Sequence, residues 1–224
     1  MKLIHFTTQN EFLKKSVAYL ETICKKKKGT IHIALSGGST PLPFYKKLRS
    51  VTSIPWERVH LFLVDERYVP ITDPASNLGM IQSSLGTPLL SKLKGFTYFH
   101  TDLSIKKALD LYKSELTQVP YFDVAILGIG PDGHTASLFP KTAALKTKSM
   151  VASTQTEIFT VKKRLTITFP VILKSRHLLI LMKGEDKAKT IYELCEGEKN
   201  IAEFPAKKLL RHQDLTIHFF AGNK

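Results

Sequence analysis

Residues 30–48 read TIHIALSGGSTPLPFYKKL, and this stretch decides the fold class. Thr30 to Leu35 is a short apolar run rich in β-branched residues, which is typical of a buried strand. Glycine and serine residues at 36–39 end the run, and Pro41 suits the first turn of a helix. The stretch therefore predicts a strand, a tight turn and a helix, which together form the repeating unit of an α/β fold.

The same alternation of apolar runs and amphipathic stretches continues along the chain. We predict further strands at residues 59–64, 122–127, 165–169, 178–182 and 215–220, and helices at residues 10–28, 41–48, 76–85, 104–116 and 186–195. Strands that alternate with helices form a parallel sheet with both faces covered. We therefore expect an α/β, Rossmann-like fold: a mostly parallel sheet with helices on both faces. Because no linker or repeat divides the chain, we expect residues 1–224 to form a single domain.

The composition excludes several classes of protein. Of the 224 residues, 43% are hydrophobic and 23% are charged, which excludes a disordered, collagen-like or coiled-coil chain. Two cysteines are too few for a disulfide framework, so we expect them to be buried in a reducing compartment. The N-terminus has no signal-peptide pattern, and no apolar run approaches the roughly 18 residues of a membrane span. We expect a cytoplasmic protein with no membrane partner.

The chain is basic, with 33 Lys and Arg residues against 19 Asp and Glu residues and a formal net charge of +14. Short basic clusters such as 25–28 and 106–107 are typical of solvated helix ends and loops. Nucleic-acid binding would need a groove-reading motif or exposed aromatic residues among the charges, and the sequence contains neither. We therefore expect no specific nucleic-acid partner, whereas a small anionic substrate is compatible with the charge.

The segment SGGSTP follows the first of these predicted strands. Gly37 and Gly38 let a ligand approach the backbone, and Ser39 and Thr40 add hydroxyl donors at the start of a helix, which is a suitable arrangement for binding a phosphate. The segment lacks the lysine of a Walker A loop and does not match GxGxxG. A tight turn with a capping serine explains these residues equally well.

The triplet Asp65-Glu66-Arg67 follows the strand predicted at 59–64. Ligands bind beyond the carboxyl ends of strands in open α/β sheets, so these charges are expected at the ligand edge. Arg67 can form two parallel hydrogen bonds to an anion, and Asp65 can accept one from a sugar hydroxyl. A solvated loop with a local salt bridge is the alternative, and without further context it is the favoured one.

The segment GIGPDGHTASLFP, residues 128–140, follows the strand predicted at 122–127. Its glycines permit unusual backbone geometry around Asp132 and His134, and a histidine with a pKa near 6.5 suits the activation of water. The alternative is a histidine that only caps the turn. The sequence has no G-x-S-x-G elbow for a serine nucleophile and no clustered ligands with the spacing of a metal site.

Four motifs together resemble the 6-phosphogluconolactonases of the wider glucosamine-6-phosphate isomerase superfamily. They are SGGSTP (36–41), VDERYVP (64–70), SNLGMI (76–81) and FDVAILGIGPDGHTASLFP (122–140), and RLTITFPVILKSRHLLILMKGEDKA (164–188) continues the resemblance. The resemblance implies one lactonase/isomerase-like α/β domain. It also implies a cytoplasmic, metal-independent hydrolase of the oxidative pentose phosphate pathway, which opens 6-phosphoglucono-δ-lactone to 6-phosphogluconate.

The resemblance also implies roles for single residues. His134 matches the catalytic histidine of the family, Asp132 matches the acid beside it, and Asp65 matches a substrate-side acid that we place with the catalytic residues. The residues that match substrate- or phosphate-binding positions are Gly37, Gly38, Ser39, Thr40, Arg67, Arg164 and Lys187.

One segment departs from the family pattern. Many members have a lysine followed by prolines about five residues before the arginine that Arg164 matches, and this chain has Phe159 there. Lys162 and Lys163 lie nearby. Either one of them replaces the missing lysine from a shifted loop, or the contact is lost.

Lactone hydrolysis is the leading functional hypothesis, because it needs only a bound phosphate, an oriented ring and a water deprotonated by His134. We expect a sugar-phosphate lactone as substrate, no cofactor, no metal, and a monomer or weak homo-oligomer. A glucosamine-6-phosphate deaminase or isomerase is the first alternative. Such enzymes resemble this chain but have an acidic residue where this chain has Phe139, and that difference argues against the deaminase. A non-catalytic sugar-phosphate-binding regulator is the second, and the presence of His134 and Asp132 argues against it.

Overall fold

The computed structural model describes residues 1–222 of the chain. Over these residues ten strands form: β1 Lys2–Phe6, β2 Ile31–Leu35, β3 Val59–Leu63, β4 Asp65–Arg67, β5 Gly95–Thr97, β6 Val124–Leu127, β7 Val151–Gln155, β8 Lys163–Ile167, β9 His177–Lys183 and β10 Leu215–Phe220. Seven α-helices form between them: α1 Gln9–Lys26, α2 Leu42–Leu48, α3 Asn77–Leu85, α4 Thr87–Leu90, α5 Ile105–Thr117, α6 Phe169–Ile172 and α7 Lys187–Cys195.

Seven strands form the central sheet, in the order β1-β10-β9-β6-β2-β3-β5, and every pairing in it is parallel. Parallel neighbours need a crossover connection. A helix provides this connection after four of the strands: α1 follows β1, α2 follows β2, α5 follows β5 and α7 follows β9. The predicted α/β fold with a mostly parallel, Rossmann-like sheet is confirmed.

The central strands are covered on both faces. All residues of β6 and β10 are buried, and successive residues of a strand point to opposite faces. Layers on both sides of the sheet therefore exclude water, which explains why these strands are continuous apolar runs without polar alternation. Buried residues from the strands and helices join in one hydrophobic core.

Two strands of the central sheet lie at its edges and were not predicted. Four of the five residues of β1 are exposed, and β5 has only three residues. A short or exposed edge strand lacks the apolar run that marks a buried one, so neither strand has a clear signal in the sequence.

A second sheet was also not predicted. It contains three antiparallel strands in the order β4-β8-β7. Arg67 of β4 lies opposite Arg164 of β8, and Gln155 of β7 lies opposite Lys163 at the loop end of the hairpin that β7 and β8 form. The strand predicted at 165–169 is therefore found at Lys163–Ile167, in this small sheet and not in the parallel one.

The predicted helix ends are close to the observed ones, because the capping residues are local signals. Thr8 accepts a hydrogen bond from the backbone N–H of Glu11 at the start of α1, and Ser76 accepts one from Gly79 at the start of α3. Lys25 and Lys26 occupy the last turn of α1, where cations are favourable. Within residues 1–222, every helix is too short or too polar to cross a membrane.

Candidate active site

A cleft with a volume of about 230 Å³ lies at the carboxyl ends of β6, β2 and β3, which are neighbours in the sheet. The loop that follows each of these strands contributes to its walls, and the small sheet and the start of α7 complete it. Of the residues predicted for the site, those that line the cleft are Gly37, Gly38, Ser39, Thr40, Asp65, Arg67, His134, Arg164 and Lys187. Asp132 is not among the lining residues.

Asp132 lies behind His134. Its Oδ1 atom is 2.5 Å from Nδ1 of the imidazole and also accepts a hydrogen bond from the His134 backbone N–H, at 3.2 Å. A proton on Nδ1 therefore leaves Nε2 as the free base nitrogen on the cleft side of the ring. A Cβ at Gly130 would lie 2.1 Å from Cε1 of His134, so only glycine leaves room for the ring there.

The carboxyl of Asp132 is ionised in this arrangement. Burial opposes its ionisation, but the hydrogen bond and the charge of His134 outweigh burial and lower the pKa of Asp132 below its usual value. Its Oδ2 atom is buried and has no hydrogen-bond partner among the described residues. Asp132 can therefore orient the imidazole and stabilise an imidazolium, as the carboxylate of a catalytic triad does.

Two arginines face each other in the cleft. Arg67 and Arg164 are cross-strand partners of β4 and β8, and Arg164 is only 5% exposed. Burial, followed by the like charge of Arg67, lowers the pKa of Arg164. The Nε atom of each guanidinium is buried without a partner, and neither forms a salt bridge with a described carboxylate. Like charges opposite each other are unfavourable, so the pair is suited to an anion bound between them.

The other two side chains of the DER triplet, those of Asp65 and Glu66, point in different directions: one toward the cleft and the other into the protein. Asp65 is buried and lines the cleft, and its Oδ2 atom accepts a 2.6 Å hydrogen bond from the Ser137 hydroxyl. Glu66 is 1% exposed and does not line the cleft. Its carboxylate accepts hydrogen bonds from the backbone N–H groups of Asn77 and Leu78, at the start of α3. The triplet is therefore not a solvated loop.

The loop at 37–40 and Lys187 lie on the wall formed by β2 and α7. A Cβ at Gly37 would lie 1.8 Å from Oδ1 of Asn77, so this glycine allows close approach of the loop to α3. Lys187 donates a 3.1 Å hydrogen bond from Nζ to the carbonyl of Ile129, and its side chain is 14% exposed. The ammonium retains donors for a ligand in the cleft.

Several lining residues had not been singled out for the site from the sequence. Asn77 and Ser137 line the cleft and form hydrogen bonds with the backbone and the side chain of Asp65, respectively. Asn77 stands in a recognised motif, but nothing in the sequence indicates that it turns toward the cleft. Phe139 and Phe159 also line the cleft, whereas neither Lys162 nor Lys163 does. Lys162 instead pairs with Glu157, so neither lysine occupies the expected position.

A larger groove, of about 1030 Å³, lies at the opposite edge of the sheet. It contains His177 at the start of β9 and Asp214 just before β10, with Nδ1 and Oδ2 2.6 Å apart. This pair joins the amino ends of two neighbouring strands, whereas ligands of parallel sheets bind beyond the carboxyl ends. The smaller cleft is therefore the candidate active site.

Comparisons with known proteins agree with these features. Residues 8–218 match the family described as glucosamine-6-phosphate isomerases/6-phosphogluconolactonase. The chain is 37% identical over 195 residues to the 6-phosphogluconolactonase of Thermotoga maritima, which covers 87% of this chain and 86% of that protein. It is 31% identical over 207 residues to a 6-phosphogluconolactonase of Neisseria meningitidis, covering 86% and 85% of the two chains. A crystal structure of a 6-phosphogluconolactonase from Shewanella baltica has a TM-score of 0.90 at 26% identity, over 99% of this chain and 98% of that one.

Proposed function

This chain belongs to the family of glucosamine-6-phosphate isomerases and 6-phosphogluconolactonases, and from that premise we infer that it hydrolyses 6-phospho-D-glucono-1,5-lactone to 6-phospho-D-gluconate. This reaction is the second step of the oxidative pentose phosphate pathway. The observation that carries the inference is His134, paired with Asp132 behind it, in the same cleft as two arginines that have no acidic partner among the described residues. A base at one end and an anion site at the other are what a phosphorylated ester substrate requires.

In the proposed reaction, Nε2 of His134 takes a proton from a water molecule while the water oxygen attacks the lactone carbonyl. The tetrahedral intermediate then collapses and the bond between C1 and the ring oxygen breaks. The ring oxygen leaves as a hydroxyl after it receives the proton from the imidazolium. The carboxylic acid formed at C1 then loses its proton to solvent, which gives the 6-phosphogluconate product.

Asp132 orients the base and stabilises its charged form. Its hydrogen bond to Nδ1 selects the tautomer with Nε2 unprotonated, and its negative charge stabilises the imidazolium of the intermediate. Because the pKa of Asp132 is lowered, the carboxylate stays ionised throughout the neutral range in which a histidine base operates.

The substrate phosphate is bound, in this proposal, by Arg67, Arg164, Lys187 and the backbone of residues 37–40. The two arginines lie opposite each other and form no salt bridge within residues 1–222, and a phosphate dianion between them would remove their repulsion. Lys187 adds a third cation from the start of α7. Asp65, whose Oδ2 atom is already bonded to Ser137, is proposed to accept a hydrogen bond from a sugar hydroxyl.

Amino-sugar-phosphate deamination has less support. Phe139 occupies the position at which we expect an acidic residue for ring opening, and it is 4% exposed beside the imidazole, with ring centroids 4.9 Å apart. An apolar side chain in that place has no proton to transfer.

A hydrolysis assay on freshly generated 6-phosphogluconolactone, corrected for spontaneous opening, tests the function. We expect hydrolysis of the lactone and no release of ammonia from glucosamine 6-phosphate in a parallel assay. Ammonia release without lactone hydrolysis would contradict this function and identify the protein as a deaminase.

We further propose that the enzyme acts in the cytoplasm as a monomer or weak homo-oligomer, without a metal or other cofactor. Two free cysteines, one of them buried, support a reducing compartment. Dialysis against EDTA is expected to leave the lactonase rate unchanged, and light scattering is expected to give a mass near that of one chain. A rate lost on dialysis and restored by one divalent ion would contradict the metal-independent mechanism.

A further inference from the structure

Phe159 occupies an unusual place for a large apolar side chain. It lies in the loop of residues 156–162 that joins β7 to β8, it lines the cleft, and it is 36% exposed. Its neighbour Ile158 is 66% exposed and does not line the cleft. Two adjacent apolar residues of one loop therefore differ in whether they face the candidate active site.

The ring of Phe159 contacts both ends of that site. Its centroid lies 5.5 Å from the centroid of the His134 ring, at an interplanar angle of 81°. The guanidinium carbon of Arg164 lies over the same ring, 5.5 Å from its centroid. On a third side, the ring packs against Phe139, with centroids 5.9 Å apart. One side chain thus joins the proposed base to a proposed phosphate-binding residue.

Arg164 needs such a contact because little else orients its guanidinium. It faces the like charge of Arg67, it has no acidic partner among the described residues, and its Nε atom has no hydrogen bond. The negative face of an aromatic ring attracts a cation and restricts the plane in which the guanidinium lies. The edge contact of the same ring limits rotation of the His134 imidazole.

We infer that Phe159 is a positioning residue that sets the spacing between the phosphate and the lactone carbonyl, by holding Arg164 and His134 against one ring. The inference rests on the proposed lactonase function and extends it to a residue that does not take part in the chemistry. The phosphorylated lactone is bound at both its phosphate and its carbonyl, so its reaction depends on this spacing. A lactone without a phosphate is bound only at the carbonyl.

The experiment compares Phe159→Ala, Phe159→Tyr and the matched control Ile158→Ala on 6-phosphogluconolactone and on glucono-δ-lactone. Arg164 is only 5% exposed, so loss of its cation–π contact corresponds to roughly a 5- to 30-fold loss in kcat/KM. We expect this loss for Phe159→Ala on the phosphorylated lactone, with a higher KM as well as a lower kcat. On glucono-δ-lactone the same variant is expected to change kcat/KM by less than about threefold, because Asp132 still orients the imidazole of His134 when the ring is removed. Phe159→Tyr keeps the ring and is expected to retain the wild-type rates, as is Ile158→Ala.

Wild-type activity on 6-phosphogluconolactone is measured first, and its absence would remove the proposed function itself. With an active wild type, equal losses of Phe159→Ala on both lactones, or no loss on either, would overturn the positioning role alone. A Phe159→Tyr variant as impaired as Phe159→Ala would also overturn it, because the ring would then not be the feature that matters. Thermal unfolding of each variant is expected to match the wild type, since the side chain is part of an exposed loop.

Discussion

The residues proposed as the base and its orienting acid are held by close neighbours in the chain. Asp132 and His134 are two positions apart, and the backbone N–H of Gly130 donates a 2.9 Å hydrogen bond to the carbonyl of His134. The ring of His134 therefore lies against its own loop, with Phe139 on another side. These contacts, with the Asp132 hydrogen bond, restrict the orientation of the imidazole.

His134→Ala is expected to lower kcat by about 10²–10⁴-fold with the fold intact, because a general base contributes a factor of that size. Steady-state kinetics on the phosphorylated lactone measure the loss, and circular dichroism checks the fold. His134→Asn is expected to be similarly impaired, since it keeps a polar shape without a usable base. A loss below tenfold would assign deprotonation of water to another group.

Lys187→Ala is expected to raise KM more than it lowers kcat, because the phosphate is remote from the reacting carbonyl and is bound in both the ground and transition states. Loss of a charge-assisted hydrogen bond costs about 1.5–3 kcal/mol, or roughly ten- to over a hundredfold in kcat/KM. On glucono-δ-lactone the variant is expected to have nearly the wild-type kcat/KM. Lys25→Ala, on the exposed end of α1, serves as the charge-matched control, and equal damage to both substrates would contradict the phosphate assignment.

At the scale of elements, β4 connects the two sheets and has two functions. Its outer residues, Asp65 and Arg67, line the cleft, while Glu66 between them turns into the protein. One Glu66 oxygen accepts hydrogen bonds from the N–H groups of Arg67 and Asn77, and the other accepts from Leu78 and from the Ser76 hydroxyl. Burial raises the pKa of Glu66, and these backbone donors oppose that rise. The side chain joins β4 to the start of α3 and so fixes one wall of the cleft.

Glu66→Gln is expected to lower the free energy of unfolding by about 1–3 kcal/mol, because an amide NH₂ in place of one oxygen leaves at least one buried backbone N–H without an acceptor. Urea denaturation measures the change. Glu57→Gln, an exposed change in a short 3₁₀ helix, is expected to stay within about 0.5 kcal/mol of the wild type. Equal stability of Glu66→Gln and the wild type would show that the carboxylate does not cap the helix.

At the scale of the whole molecule, the sheet order brings distant segments together. The strands β6, β2 and β3 are neighbours although their sequence positions are far apart, and the segments that follow them meet in one cleft. On the other side of the fold, α1 packs on β10, where the buried His218 lies 2.8 Å from the Ser16 hydroxyl. Burial lowers the pKa of His218 to about 4. Packing of the largest helix therefore depends on a neutral imidazole.

Stability is expected to fall as the pH decreases from about 6.5 to about 4, because the unfolded chain binds a proton on this histidine throughout that interval and the folded protein does not. The contribution of His218 is at most about 3 kcal/mol, from the difference between the two pKa values. Urea unfolding at a series of pH values measures it. His218→Gln is expected to flatten the pH dependence, whereas His100→Gln, where the side chain is 44% exposed, is expected to leave it unchanged. An unchanged slope in His218→Gln would assign the acid sensitivity to other groups.

The buried strands of the parallel sheet, the longer helices and the edge of the sheet that forms the cleft can be derived from the chain alone. The apolar runs at 31–35, 59–63 and 124–127 identify buried strands, and glycine-rich or charged segments follow each of them. These signals act over a few neighbouring residues, and parallel strands bring their carboxyl ends to one edge. For that reason the sequence alone indicates which loops contain the candidate residues.

The cross-strand position of Arg67 and Arg164, the inward turn of Glu66 and the contacts of Phe159 depend on the tertiary structure. Each results from pairing between segments far apart in the chain, and a shift of one residue in that register would turn every side chain of the strand to the other face. No local pattern encodes such a register. The exposed strand β1 and the second sheet escaped prediction because their pairing, and not the burial of an apolar run, defines them.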